Sequence, residues 1–192
     1  MKIGYSVEGS TDRAVVHGLR DRWCARAELV EGRLRGSSET SRRREIGKTC
    51  SEFKFKDVDA MIFLTDANQR EWREVQREER ARLPSDCQHR SMVGIPDRNI
   101  ECWLCAEPGW LGKRLGVNPD LLRVDDPKGI FNSTLGISRD DKQETTIAEI
   151  VKAAPLWSWL NNTSFEDFYQ QVWQQSKQHG CTIENLRESK PE

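Results

Sequence analysis

Long apolar runs are missing from this 192-residue chain. No stretch approaches the roughly 20 consecutive apolar residues that a membrane-spanning helix needs. The opening MKIGYSVEG lacks the apolar core of a signal peptide, so the sequence predicts a soluble, cytoplasmic protein. Histidine is scarce, and His17, His89 and His179 lie in unrelated segments, which leaves no histidine-centred catalytic set to read. No glycine-rich loop of the GxxxxGK[ST] type occurs, so a P-loop phosphate cradle is excluded. Nor is there a strong charge bias: the net charge is −1, and nothing global announces nucleic acid.

The six cysteines stand at irregular spacing, unlike a secreted disulfide framework. Cys102 and Cys105 form a CxxC preceded by Cys87 and His89, which invites a zinc reading. A structural zinc site normally shows two clean ligand pairs. Here the second pair is missing, and two thiols three apart in the helix-like IECWLCAE can simply face a core. With 36% hydrophobic and 32% charged residues, the chain can bury a core, and its length suits one domain with a helical extension.

Periodicity supplies the fold class. KIGYSV (2–7) reads as a buried strand, and Val15, Val16, Leu19 and Trp23 place a helix over 11–25. A second strand at about 27–34, a helix at 39–53 and the apolar strand VDAMIFLTD (58–66) follow. The charged stretch 69–83 predicts an exposed helix closed by Pro84. HRSMVGIP (89–96) reads as a fourth strand, and 99–107 as a helix ended by Pro108 and Gly109. This alternation argues for an α/β core at 1–107, a mostly parallel four-stranded sheet flanked by helices. Residues 108–192 predict a helical extension packed on it. There, Phe165, Phe168, Tyr169, Val172 and Trp173 recur at helical spacing, a stripe that points to core packing, with Ser164 and Asp167 as a capping pair.

In an open parallel sheet, functional groups gather where strands give out at their carboxyl ends. Two predicted strands end in acids, Glu8 after IGYSV and Asp66 after MIFLT, and Glu101 follows the fourth. If the first and third strands are neighbours, Glu8 and Asp66 come within reach of one hard cation, and oxygen ligands select magnesium or manganese. Each acid also has an ordinary reading. Asp12 can serve as a favourable charge at a helix N-terminus, Asp66 as a turn or cap residue, and Glu101 as a surface acid. Residues 1–100 carry 20 Lys+Arg against 17 Asp+Glu, a net of +3, while 101–192 carry 10 against 14, a net of −4. The excess sits in GRLRGSSETSRRREIGK (32–48), either a solvated helix face or a strip that contacts phosphates.

VEGSTD and FLTDAN resemble motifs of the Toprim fold shared by topoisomerases, bacterial-type primases and the overcoming-lysogenization-defect nucleases, and PDRNIECWL, DDPKGIF and TSFEDF resemble one branch of it. Within it, the chain is similar to the branch called domain of unknown function 4276, over most of its length. The resemblance implies a Toprim-like catalytic core at 1–107 and a magnesium- or manganese-dependent endonuclease acting on DNA. Glu8 would be general base/acid or metal ligand, Asp66 a primary ligand, Glu101 an added ligand, and Asp12 support for a second-metal side. Arg35, Arg42, Arg43, Arg44 and Lys48 would contact the nucleic-acid backbone. It also implies a partner ATPase of the AAA or ABC type, in a prokaryotic antiviral defence module. A topoisomerase fits poorly, since Tyr5 and Tyr169 are the only tyrosines and both occupy structural settings.

One departure stands out. The family writes Asp-x-Asp where this chain has Asp66-Ala67-Asn68, so Asn68 offers a neutral oxygen and no charge. Two other readings therefore remain open: an RNA-cleaving Toprim nuclease, and a non-catalytic regulatory or binding subunit with a degenerate site.

Overall fold

The computed structural model describes residues 1–32, 39–135, 141–181, 183, 185 and 186, with backbone alone at 39–44 and 141–142. Four strands are present among them: β1 (Lys2–Ser6), β2 (Glu28–Glu31), β3 (Ala60–Leu64) and β4 (Ser91–Gly94). The helices of the first half are α1 (Ser10–Trp23), α2 (Glu39–Phe55), α3 (Trp72–Arg82), α4 (Ser85–Gln88) and α5 (Glu101–Leu104). Those of the second half are α6 (Pro108–Leu115), α7 (Lys128–Leu135), α8 (Asp141–Ala153), α9 (Leu156–Trp159) and α10 (Thr163–Gln178). The α/β class and the helical C-terminal part agree with the expectation from periodicity.

The sheet runs β2-β1-β3-β4 with every pair parallel. Tyr5 pairs with Glu31 on one side and Ile62 on the other, and Ile62 in turn pairs with Met92. Side chains alternate across the sheet, so the two faces bury different sets. Ile3, Tyr5, Ala60, Ile62, Leu64 and Met92 pack towards α1, α8 and α10. Met61, Phe63 and Val93 pack towards α2 and α3, against Ile46, Phe53, Trp72 and Val75. The aromatic stripe of α10 lies in the first of these cores: Phe165, Phe168, Tyr169 and Val172 are buried there, and Phe168 stacks on Trp103.

β4 is an edge strand, and an edge leaves backbone donors and acceptors unpaired. α10 covers it with two glutamines. Gln171 accepts from the Val93 N–H at 2.8 Å and donates to the Val93 carbonyl at 3.0 Å, as a neighbouring strand would. Gln175 donates to the His89 carbonyl one turn further on. At the start of α10 the cap is Asn162, whose side chain accepts from the Ser164 and Phe165 N–H groups. This corrects the expected Ser164–Asp167 pair. Ser164 sits inside the helix instead and accepts from the Trp103 indole at 2.8 Å and the Asp97 N–H at 3.2 Å. Asp167 accepts from Gln76 and Gln171.

Two further expectations change. The helix expected at 99–107 is only the single turn α5, and Pro108 opens α6 as a first-turn residue instead of ending its predecessor. The missing N–H of proline costs nothing at that position. A disulfide joins Cys24 to Cys181 with a Cα–Cα distance of 5.3 Å. The two are 157 residues apart and meet only in the folded chain, so their spacing carried no trace of the pairing. Cys105 is buried in the core, while Cys102 directs its thiol to the Asn99 side chain. Among the described residues no helix is long and apolar enough to cross a membrane.

α1 and α8 approach so closely that a Cβ built on Gly18 would lie 2.6 Å from both the Ala148 carbonyl oxygen and the Val151 Cβ. Neither atom can swing away, so α8 would have to move. On α2, by contrast, a Cβ on Gly47 would meet nothing within 4 Å. One chemical change should therefore have opposite signs at the two sites. Gly47→Ala should stabilise by up to ~1 kcal/mol through helix propensity. Gly18→Ala should destabilise by about 1–3 kcal/mol, because overpacking outweighs that gain. Urea denaturation of the two variants tests this, and equal shifts would refute the close helix approach.

Candidate active site at the carboxyl edge of the sheet

Ser6 of β1 pairs with Phe63 of β3 in parallel, so the residues that follow both strands leave by the same edge of the sheet. Glu8 comes two residues after this pairing and Asp66 three. The chain then turns through Gly9 into α1, whose first turn carries Asp12. One Asp12 oxygen accepts the Gly9 N–H at 2.8 Å, which closes the turn. Beyond β3 the chain keeps following the extension of β4: Thr65, Ala67 and Asn68 donate to the Gly94, Pro96 and Arg98 carbonyls. These bonds tie the Asp66 segment to the loop that leads into Glu101.

Asp12 is 6% exposed and Glu101 2% exposed, while Glu8 lies at the exposed mouth. Burial pushes the Asp12 carboxyl up to about 8; the charge of Asp66 adds to this, the Gly9 N–H opposes it, and Glu8 and Glu101 add further. Burial likewise carries Asp66 up to about 7, with Lys128 opposing, Glu8 and Glu101 adding, and the Ile100 N–H opposing. Glu101 is also raised by burial, against its own N–H and Lys128. Four carboxylates thus share one field. At Asp12, Asp66 and Glu101, desolvation and like-charge repulsion both disfavour the ionised form.

Two oxygens in this cluster, Asp66 Oδ1 and Glu101 Oε2, are buried and have no hydrogen-bond partner. A buried acceptor left unpaired costs about 1–3 kcal/mol, and more when charged. The carboxylates can respond in two ways: they hold protons, or they take a cation. Among the described residues no three His, Cys, Asp or Glu side chains already stand close enough together to hold an ion. The donor set nonetheless fits a hard cation. It consists of carboxylate oxygens, two of them orphaned, and magnesium or manganese prefers such oxygens together with water.

The remaining candidates divide. Asn68 is exposed, has a left-handed backbone (φ 56°), and its amide donates to the Asp66 carbonyl at 3.2 Å. It flanks the cluster without being buried in it. Of the basic strip, Arg35 and the side chains of Arg42, Arg43 and Arg44 lie outside the described residues. Lys48 is exposed on α2 and pairs with Glu45 at 3.1 Å. His17 is engaged by Tyr5. A residue that sequence reasoning passed over is Lys128, whose ammonium stands 3.9 Å from Asp66 Oδ2. Its one sequence signal was the Asp-Pro-Lys start of a helix in DDPKGIF.

Compared with family models, curated proteins and solved structures, the chain gives no match.

The raised carboxyls have a definite effect on stability. Asp12 goes from 3.8 to about 8, and Asp66 from 3.8 to about 7. The native state therefore holds protons that the unfolded chain has already lost. Their contribution is complete below about pH 4 and is lost as the pH rises through 7 and 8. In EDTA, wild type should lose unfolding free energy between pH 5 and pH 8. Asp12→Asn, which keeps the acceptor for Gly9, should lose less. The difference is bounded by ~1.4 kcal/mol per pH unit for one proton. Parallel pH dependences in urea denaturation would refute the shared field.

Proposed function

We propose that this chain is a metal-dependent nuclease of the Toprim type, cleaving phosphodiester bonds, with DNA as its substrate. The observation that carries the reading is the convergence of Glu8, Asp12, Asp66 and Glu101 at the carboxyl ends of β1 and β3, with orphaned oxygens on two of them. Once ionised, carboxylates buried in this way cost stability, and perturbed acids gathered at one site are a mark of function. The family resemblance of VEGSTD, FLTDAN and PDRNIECWL supports the same reading.

Asp66 and Glu101 would hold magnesium or manganese through the oxygens that lack partners. Such a bound cation supplies stabilisation for the charge that develops on the attacking and leaving oxygens of the phosphate. Glu8, at the exposed mouth, would move a proton between the attacking water and solvent. Asp12 backs the cluster from the first turn of α1 and contributes negative charge. Asn68 adds a neutral oxygen at most, so a second cation would be held weakly, or only with a substrate phosphate present. Lys128 offsets part of the negative charge beside Asp66. A partner ATPase that gates cleavage in an antiviral module rests on the resemblance alone.

A second reading, a regulatory subunit with a degenerate site, draws on Asn68 and on the lack of a ready-made ligand trio among the described residues. The two readings differ in one experiment. Plasmid DNA and total RNA are incubated with the protein in magnesium, manganese or EDTA. Cleavage in magnesium or manganese that stops in EDTA is expected. Asp66→Asn and Glu8→Gln should lower the rate at least about 100-fold while the circular-dichroism spectrum is unchanged. Cleavage of RNA alone would move the substrate to RNA. Full activity in EDTA or in Asp66→Asn, or no cleavage with an ATPase partner present, would overturn the nuclease reading.

A further inference from the structure

Beside the acid cluster lies a cavity of about 450 Å³ lined by Asn68, Gln69, Arg70, Arg98, Asn99, Asp126 and Lys128. Every residue named has a polar or charged side chain, with three cations against one carboxylate. Asp126 is already engaged: its Oδ1 accepts from the Asn99 amide at 2.8 Å and from the Lys128 N–H at 3.3 Å. Arg70 is held in place by Glu78 through two bonds, at 2.9 and 2.5 Å. Arg98 and Lys128 are bound more loosely. Their nearest carboxylates, Asp125 and Asp66, stand 3.8 and 3.9 Å away, beyond hydrogen-bonding distance.

The backbone here is costly to maintain. Arg98 has φ 66°, a left-handed conformation that a long side chain rarely adopts, and its carbonyl accepts the N–H of Asn68, itself at φ 56°. Strain of this kind amounts to roughly 1–2 kcal/mol for a residue other than glycine. Glycine would remove it, yet the chain places a guanidinium there, at the rim of a cation-lined cavity and next to the carboxylates.

We infer that this cavity is a phosphate-binding subsite, in which Arg98 and Lys128, with Arg70 behind them, take a nucleic-acid phosphate neighbouring the one to be cleaved. The inference rests on the nuclease reading and deepens it. Guanidinium forks match phosphate oxygens in pairs, and an ammonium adds a point charge. No aromatic side chain is among the residues that line it to stack a base, so the subsite reads backbone and not sequence. Lys128 lies between the two regions and links the subsite to Asp66. The phosphate can be a terminal monoester or an internal diester, and the two differ in what they predict.

The test is binding in EDTA, where cleavage is off, measured by fluorescence anisotropy of a 12-nucleotide single strand labelled at its 3′ end, with or without a 5′-phosphate. Arg98→Gly is the informative variant, because glycine accepts the positive φ and the fold should survive. Its affinity should fall about 5–10-fold, and the slope of log affinity against log salt should flatten by about 0.7 for each phosphate no longer neutralised. A wild-type preference for the 5′-phosphorylated strand that disappears in the variant assigns a terminal monoester. Equal weakening of both strands assigns an internal diester. Inorganic phosphate should compete with the strand in wild type more strongly than in the variant. Unchanged affinity and salt slope in both Arg98→Gly and Lys128→Gln would overturn the subsite. If cleavage still fails in Asp66→Asn, the nuclease reading survives that loss. If wild type never cleaves but Arg98→Gly still loses affinity, the nuclease reading falls and the phosphate site stands.

Discussion

Negative charge held away from water at the edge of a parallel sheet is the constraint around which this molecule is arranged. β1 and β3 are hydrogen-bonded neighbours, so the acids that follow them meet at one edge. α1 closes over them and buries Asp12, while the loop after β4 returns Glu101 to the same place. Apart from the bond that Asp12 accepts from the Gly9 N–H, neither packing nor backbone geometry asks for carboxylates there. Apolar or amide side chains in the same positions would remove both the desolvation cost and the mutual repulsion. A chain that carries this cost must neutralise the charge, with protons or with a cation.

The scaffold keeps the acids in register by indirect means. Gln171 completes the β4 edge, Ser164 receives the Asp97 N–H and the Trp103 indole, and Trp103 stacks on Phe168. These interactions hold residues 97–103, and therefore Glu101, against α10. A second set of bonds joins the Asp66 segment to the same loop through Ala67 and Asn68. The helical C-terminal part is thus joined to the site physically, because it supports the loop that carries one of the acids. Between the cluster and the neighbouring cavity stands Lys128, brought in by the start of α7. The charge sequence across this edge runs from carboxylates to cations within one short span.

Strand and helix periods made the α/β order readable, since alternation and 3.6-residue spacing are properties of a segment taken alone. The acids after the first and third strands were readable for the same reason. Their relative weights were not. Glu8 looked the stronger candidate because it ends a strand, and Asp12 looked like a first-turn charge; the fold leaves Glu8 at the mouth and buries Asp12. Burial depends on what α1 faces, and that is decided by β3 and by the loop before α5, both far along the chain. The Ser164–Asp167 pair was misread because two residues before it Asn162 could cap just as well, and local pattern does not separate such alternatives.

By itself, the sequence determined the alternation of strands and helices in the first half, a mostly parallel sheet, and that carboxylates stand at strand ends. Local hydrophobic spacing and short-range chemistry carry that information. Only the tertiary structure decided that β1 lies beside β3, that Cys24 meets Cys181, and that Lys128, Arg98 and Arg70 share a cavity next to Asp66. Each of these joins residues remote along the chain, made when apolar faces find their partners. The energy that selects it is spread over the core, so no local motif records it.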